Sequence, residues 1–271
     1  MRLRDAVVAT LLAAVATAAC SRLTFVRPDA GRGKSEQVAP RYEFRDDSDS
    51  DSTTGRLQLR KARDAVAAGK LDLAREAADA ALDADPRSAQ AHTVLAVIAD
   101  RQRQPEAAGR HYARAAELAP GEGAMLNNYG AWLCGNGRAA ESLAWFDRAL
   151  ADRRYGTPAS ALGNAGECAL RAGARARAER YLRAALELDP EEAVALGAMA
   201  QHAFDGGDHM SARAFSQRRL AVAPPSAGAL LLASQIEEKL GDKAAAARYV
   251  QRLRSEFPQA RSAQAGESTS P

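Results

Sequence analysis

Small, bulky apolar and polar residues recur along this chain with a period near 34 residues. Between residues 127 and 190 the pattern occurs twice: a small residue is followed by glycine seven positions later, and by another small residue five positions after that. Apolar positions spaced three and four apart then mark one face of a helix. A glycine between two such faces indicates the turn of a helical hairpin. The stretch therefore predicts two consecutive helix–turn–helix units.

The same unit can be followed from residue 55 to residue 258. Units begin near residues 55, 89, 123, 159, 193 and 227, and the third is two residues longer than the others. The eighth position of each unit is small: Ala62, Ala96, Gly130, Gly166, Ala200 and Ser234. The twentieth is also small: Ala74, Ala108, Ser142, Ala178, Ala212 and Ala246. Because the distance between helices depends on the side chains at their contact, small residues at both positions predict closely packed hairpins.

Glycine and proline mark the ends of these helices. The turns of five units contain Gly69, Gly137, Gly173, Gly207 and Gly241. Glycine tolerates the left-handed conformation in which many helices end. The second unit has Arg103 there instead, so we expect that turn to be strained or held by other contacts. Prolines that cannot continue a helix close five units: Pro86, Pro120, Pro190, Pro224 and Pro258, with Pro158 displaced by the two extra residues.

Hairpins of 34 residues resemble the tetratricopeptide repeat. The resemblance implies an all-α, right-handed superhelix of six repeats with about twelve helices and a concave groove. The first helix of each repeat lines the groove in this family, which makes eight residues candidates for partner binding: Val94, Val97, Asn127, Asn128, Asn164, Glu167, Gln201 and Phe204. Side-chain amides there could hydrogen-bond a peptide. Alternatively, the three asparagines tie adjacent repeats together.

The N-terminus has the pattern of an export signal. Arg2 and Arg4 precede a short apolar core at residues 6–16, which is shorter than the ~20 residues of a membrane-spanning helix. The motif Thr17-Ala18-Ala19-Cys20 resembles a bacterial lipobox, which predicts a signal peptide at 1–19 and lipid on Cys20. Ser21 implies transport onward to the outer membrane by the same resemblance. Ordinary cleavage nearby, with Cys20 unmodified, is the alternative.

Residues 20–54 are predicted to form a flexible tether. They are poor in apolar residues and contain the run Asp46-Asp47-Ser48-Asp49-Ser50-Asp51-Ser52. Clustered like charge of this kind does not favour folding. The run lacks the glycine and glutamate positions of an EF-hand loop, which makes calcium binding the weaker interpretation. The C-terminal residues 259–271 are predicted to be a disordered tail.

Export makes Cys134 and Cys168 candidates for a disulfide. They occupy positions 12 and 10 of the first helices of neighbouring repeats. Such helices stack about 10 Å apart, so two thiols that point toward each other can meet. Two separately buried thiols are the alternative.

Nothing in the sequence predicts catalysis or a cofactor. The formal net charge is +3, with both signs interspersed, which gives no electrostatic reason to expect nucleic acid as a partner. The four histidines, His92, His111, His202 and His209, fall at repeat positions 4, 23, 10 and 17, which share no helix face. No ligand spacing of a metal site and no phosphate-binding loop is present. The sequence therefore predicts a non-enzymatic protein without metal, cofactor or small-molecule substrate.

Several segments resemble the type IV pilus biogenesis and stability lipoproteins, the PilF/PilW family. These segments are Asn127-Asn128-Tyr129-Gly130, Leu133-Cys134, Asn164-Ala165-Gly166, residues 168–173 and residues 222–226. The resemblance implies a lipoprotein on the periplasmic face of the outer membrane. It further implies a pilotin that helps the pilus secretin to assemble, and hence a role in twitching motility. A scaffold of another cell-envelope assembly and a regulatory subunit that presents peptides to a hydrolase are the alternatives.

Overall fold

The computed structural model describes residues 53–258. The predicted signal peptide at 1–19, the lipid attachment at Cys20, all of the predicted tether (20–54) except its last two residues, and the tail at 259–271 lie outside the described residues. Those two residues, Thr53 and Thr54, already belong to the first helix. These four predictions therefore stay predictions.

The described residues form twelve α-helices and no strand. The helices are α1 (Thr53–Ala67), α2 (Leu71–Ala84), α3 (Ala89–Arg101), α4 (Pro105–Leu118), α5 (Gly123–Gly135), α6 (Ala139–Leu150), α7 (Pro158–Arg171), α8 (Arg175–Leu188), α9 (Ala193–Asp205), α10 (His209–Val222), α11 (Ala227–Lys239) and α12 (Lys243–Glu256). Consecutive helices pair as six hairpins. The prediction of six all-α repeats is confirmed. Within the described part, no helix is long and apolar enough to cross a membrane.

The small residues lie where the two helices of each hairpin touch. All twelve residues at positions 8 and 20 are buried. A Cβ atom on Gly166 would stand 2.4 Å from Cδ2 of Leu182, and one on Gly130 would stand 3.0 Å from Cε1 of Phe146. Both distances are shorter than ordinary contact, so a Cβ atom at either position would require the facing Leu182 or Phe146 side chain to shift. Packing between the two helices of each hairpin therefore explains the recurring small residues at positions 8 and 20.

Five of the six hairpin turns use glycine with φ between 71° and 82°, in the left-handed region. The turn of the second hairpin places Arg103 in the same region, at φ 57°. The backbone of this turn still provides hydrogen bonds for the last carbonyl groups of α3. Arg103 N–H donates to the Asp100 carbonyl and Gln104 N–H donates to the Ala99 carbonyl, both at 2.9 Å. The left-handed conformation costs a residue with a Cβ atom about 1–2 kcal/mol. This turn is therefore both strained and hydrogen-bonded.

We expect Arg103→Gly to raise the free energy of unfolding by about 0.5–1 kcal/mol. Glycine removes the strain at φ 57°, and its greater freedom in the unfolded chain offsets part of that gain. Urea unfolding followed by circular dichroism measures the change. The matched control is Arg110→Gly inside α4, which should destabilise by about 1 kcal/mol because glycine is a poor helix former. Destabilisation by both variants would contradict the strain at Arg103.

The link between the third and fourth repeats, residues 151–157, is held by one carboxylate. Asp152 accepts from the N–H of Gly123 at 3.0 Å and from the N–H of Arg154 at 2.9 Å. The ring of Tyr155 lies against Gly123, where an added Cβ atom would be 2.6 Å from its Cγ. Pro158 then begins α7. The two extra residues therefore form an ordered connection rather than a loose loop.

The first helices of the repeats form the inner layer of the array. Each of α1, α3, α5, α7 and α9 packs against the second helix of its own repeat and also contacts the first helix of the next repeat. The first helices of the tetratricopeptide repeat line the concave side of the stack, and the contacts between consecutive first helices fit that arrangement. The second helices lie on the outer side. The inner surface that the sequence predicts is therefore formed by α1, α3, α5, α7, α9 and α11.

Candidate partner-binding surface

Five of the eight predicted groove residues are not accessible to a partner. Val94, Val97, Asn127 and Asn128 are at most 1% exposed, and Asn164 is 4% exposed. Val94 and Val97 belong to the apolar core around the first two repeats, and the side chains of Asn127 and Asn164 meet between α5 and α7. The prediction that these five side chains line an open groove was wrong.

Two of the buried asparagines connect repeats. Nδ2 of Asn164 donates to Oδ1 of Asn127 at 3.1 Å, which joins α7 to α5. Nδ2 of Asn127 itself has no hydrogen-bond partner among the described residues. Buried polar groups are normally paired, so the bond from Asn164 compensates part of the cost of burying this amide. For Asn127 and Asn164 the structure supports the alternative interpretation, a tie between repeats.

The disulfide candidates lie farther along the same two helices. The structure joins Sγ of Cys134 in α5 to Sγ of Cys168 in α7, with 5.8 Å between the Cα atoms. Both residues are buried, at 5% and 4% exposure. The asparagine pair and the cysteine pair therefore connect α5 and α7 at two separate positions along the helices.

Three of the predicted groove residues remain at the surface, in repeats 4 and 5. Glu167 and Phe204 are partly exposed, and Gln201 is exposed. Glu167 pairs with Arg171 one turn farther along α7, and Nε2 of Gln201 donates to Oδ1 of Asp205 at 2.7 Å along α9. We call these five residues the inner strip. It combines amide, acidic and basic groups with one aromatic ring, which suits the backbone and side chains of a peptide.

Arg171 and Asp205 were missing from the candidate residues of the sequence analysis. Both occupy position 13, four residues after a predicted groove residue, and both are exposed. Residues four apart on a helix are neighbours on its surface. The spacing was therefore a sufficient signal for including them.

An aromatic cluster connects the second and third repeats, and the sequence analysis did not identify it. The Tyr129 ring stands edge-on to the Trp145 ring with 4.7 Å between centroids, and it stacks on Trp132 at 6.0 Å. Trp132 in turn covers Gly109 of α4, where an added Cβ atom would lie 2.4 Å from the indole. The guanidinium of Arg148 lies 4.5 Å from the Trp145 centroid. The cluster packs α5 against α4 and α6.

Two of the four histidines meet, although their sequence positions suggested no common face. Nδ1 of His92 in α3 lies 3.1 Å from Nδ1 of His111 in α4, within the second hairpin. Burial lowers the pKa of both rings. The facing His111 and then Arg114 lower the pKa of His92 further, and Arg110 and Arg75 lower that of His111. Asp79 acts in the opposite direction on the pKa of His111. The prediction of unrelated histidines was wrong for this pair, because the hairpin brings positions 4 and 23 together.

Comparison with known proteins identifies relatives by sequence and by structure. Two models of the tetratricopeptide repeat match residues 59–123 and 122–191. The type IV pilus assembly protein PilF of Pseudomonas aeruginosa strain PAO1 is 27% identical over 178 residues, which make up 66% of this chain and 71% of that protein.

Solved structures share the fold over most of their length. The crystal structure of PilW, a widely conserved type IV pilus biogenesis factor, matches with a TM-score of 0.69 and 30% identity, covering 77% of this chain and 96% of PilW. The structure of Pseudomonas aeruginosa PilF matches with a TM-score of 0.66 and 24% identity, covering 80% of this chain and 98% of PilF.

Proposed function

Because this chain belongs to the PilF/PilW family of tetratricopeptide-repeat proteins of type IV pilus biogenesis, we propose that it acts as a pilotin, a non-enzymatic lipoprotein that helps the pilus secretin to reach the outer membrane and multimerise. The observation that carries the proposal is the 30% identity with PilW over 96% of that chain. A role in pilus biogenesis follows from membership of the family, whereas binding to the secretin is proposed.

The proposed mechanism is passive capture at a membrane. Lipid on Cys20 would anchor the protein to the periplasmic face of the outer membrane, and the predicted tether would let the repeats search the space around the anchor. At ~5–6 Å × √n, a tether of about 34 residues has a root-mean-square reach of roughly 30–35 Å. The repeats then hold a segment of the secretin subunit close to the membrane. Catalysis has no part in this mechanism.

The inner strip is the surface that we propose for secretin binding. Glu167, Arg171, Gln201 and Asp205 offer donors and acceptors to an extended or helical peptide, and Phe204 supplies apolar area. The ring of Phe204 is supported by His209, with 5.4 Å between ring centroids. The pairing of these side chains along α7 and α9 restricts them before binding, which reduces the conformational entropy lost when a partner binds. The buried residues of repeats 2 to 4 would contribute stiffness rather than contacts.

Deletion of the gene tests the function as a whole. We expect secretin to run as monomers on denaturing gels that preserve its multimers, together with loss of twitching motility. The Cys20→Ala variant should fractionate away from the outer membrane and should restore multimers only in part. Secretin multimers at wild-type levels in the deletion strain would refute the pilotin proposal.

A charge-reversal pair tests the inner strip. We expect Glu167→Lys to weaken co-purification with secretin about fivefold or more, since the few residues that dominate an interface each cost more than about 1 kcal/mol when they are lost. The matched control is Glu179→Lys on the outer helix α8. Each substitution breaks an ion pair with an arginine four residues later, Arg171 or Arg183. Exposed pairs of this kind contribute about 0–1 kcal/mol to stability, so both variants should fold. Equal secretin binding by the two variants would place the contact elsewhere on the repeats.

A further inference from the structure

The close pair of His92 and His111 has no part in the inner strip or in the packing of the repeats against one another. Both rings belong to the second hairpin, one on each helix, and both are half-buried. Their Nδ1 atoms face each other at 3.1 Å. With both rings neutral, only one of these nitrogens can carry a proton, so one donates to the lone pair of the other.

The separation of the two nitrogens fits a shared metal ion. Transition-metal bonds to imidazole nitrogen are about 2.0–2.1 Å long, so ligands 3.1 Å apart subtend about 95–102° at the ion. Square-planar and octahedral sites require about 90°, and tetrahedral sites about 109°. The hairpin therefore already holds the two nitrogens at the spacing of neighbouring ligands.

Burial and the neighbouring positive groups keep both rings in the ligand form. Burial is the first cause of the lowered pKa of each ring; the facing His111 and then Arg114 follow for His92, and Arg110 and Arg75 follow for His111, so both imidazoles are unprotonated near neutral pH. Neutral imidazole is the form that binds metal. Arg75, Arg110 and Arg114 also repel a cation, while Asp79 of α2 attracts one. The balance favours a metal with strong bonds to nitrogen over one held mainly by charge, such as Ca²⁺ or Mg²⁺.

We propose that His92 and His111 chelate one divalent transition-metal ion through their Nδ1 atoms, with Cu²⁺ preferred over Zn²⁺. The preference follows the general order of affinity of nitrogen ligands for these ions. The proton shared between the Nδ1 atoms moves to Nε2 of the same ring, so two neutral rings bind the ion without releasing a proton. Within residues 53–258, no group of three or more His, Cys, Asp or Glu side chains is arranged to hold a metal, so water completes the coordination. The ion would join α3 to α4.

Metal titration of the purified chain, made without a histidine tag, tests the site. The Cys20→Ser background removes the thiol outside the Cys134–Cys168 pair. Isothermal titration with Cu²⁺, repeated with Zn²⁺, should show one ion per chain and a tighter Cu²⁺ complex. His92→Gln and His111→Gln should each lose this binding. The control His202→Gln/His209→Gln removes two histidines from the fifth repeat and should bind as the parent does.

Electron paramagnetic resonance of the Cu²⁺ complex gives a second measurement on the unaltered histidines. Nitrogen hyperfine structure from two equivalent imidazoles is expected, and circular dichroism confirms that the variants are folded. A parent that binds no ion in stoichiometric amount, a spectrum with a single nitrogen ligand, or equal binding by His92→Gln would each overturn the proposal.

Discussion

Truncation of Leu182 to alanine is expected to lower the free energy of unfolding by about 2–5 kcal/mol. The Leu182 side chain is fully buried and fills the space above Gly166, which has no side chain of its own. Alanine at residue 182 would leave a cavity between α7 and α8 that Gly166 cannot fill. The backbone of α7 already lies close to α8, so the hairpin has little room to collapse around the cavity.

The control for this prediction lies on the same helix. Leu188 near the end of α8 is 60% exposed, so Leu188→Ala removes the same atoms at a site that is already in water. We expect its effect to stay within about 0.5 kcal/mol. Guanidinium unfolding of both variants, followed by helical circular dichroism, gives the comparison. A loss of equal size in the two variants would contradict the buried contact between Leu182 and Gly166.

Reduction of the bond between Cys134 and Cys168 is expected to lower the free energy of unfolding by roughly 3–4 kcal/mol. The two cysteines are 34 residues apart, and in the chain-entropy model a bridge that closes such a loop restricts the unfolded state by this amount. The loss should be largest for α5 and α7, which the bridge joins directly. Exchange of their amide hydrogens, measured with and without reductant, tests this distribution.

A double variant separates the effect of losing the bond on stability from other effects of the reductant. Cys134→Ala/Cys168→Ala should unfold at the same denaturant concentration with and without dithiothreitol, and both values should lie below that of the oxidised parent. The parent protein, isolated from cells without reductant and then denatured, should expose no thiol of this pair to alkylation. A parent whose midpoint is insensitive to dithiothreitol, together with alkylation of both cysteines, would show that the native protein lacks the bridge.

The sequence predicted the fold because the repeated positions are those at which the two helices of one hairpin contact each other. Small residues at positions 8 and 20 are needed in every hairpin, and their recurrence in all six units specifies both the helices and their pairing. Even the exceptional turn could be anticipated, since Arg103 stands where five other units have glycine, and it does adopt positive φ. Contacts within one hairpin depend on few residues, and a linear pattern shows them directly.

The surface was harder to predict because exposure depends on which side chains of other helices cover a position. Val97 and Gln201 both occupy position 9 and were both assigned to the groove, yet Val97 is buried whereas Gln201 is exposed. Val97 belongs to the apolar core around the first two repeats, to which side chains of several helices contribute. The pair of His92 and His111 was missed for a similar reason, because helix faces were compared one at a time and not across the turn.

The position of the two cysteines also determines how the protein would respond to tension. With the proposed anchor at Cys20 and the proposed client on the inner strip, a pull would act between the N-terminus and repeats 4 and 5. With Cys134 and Cys168 joined, the segment between them cannot extend, which shortens the stretched chain by roughly 120 Å at about 3.5 Å per residue. All of α6 lies inside that closed loop. The third repeat would therefore transmit such a load through a covalent bond while the first two repeats unravel.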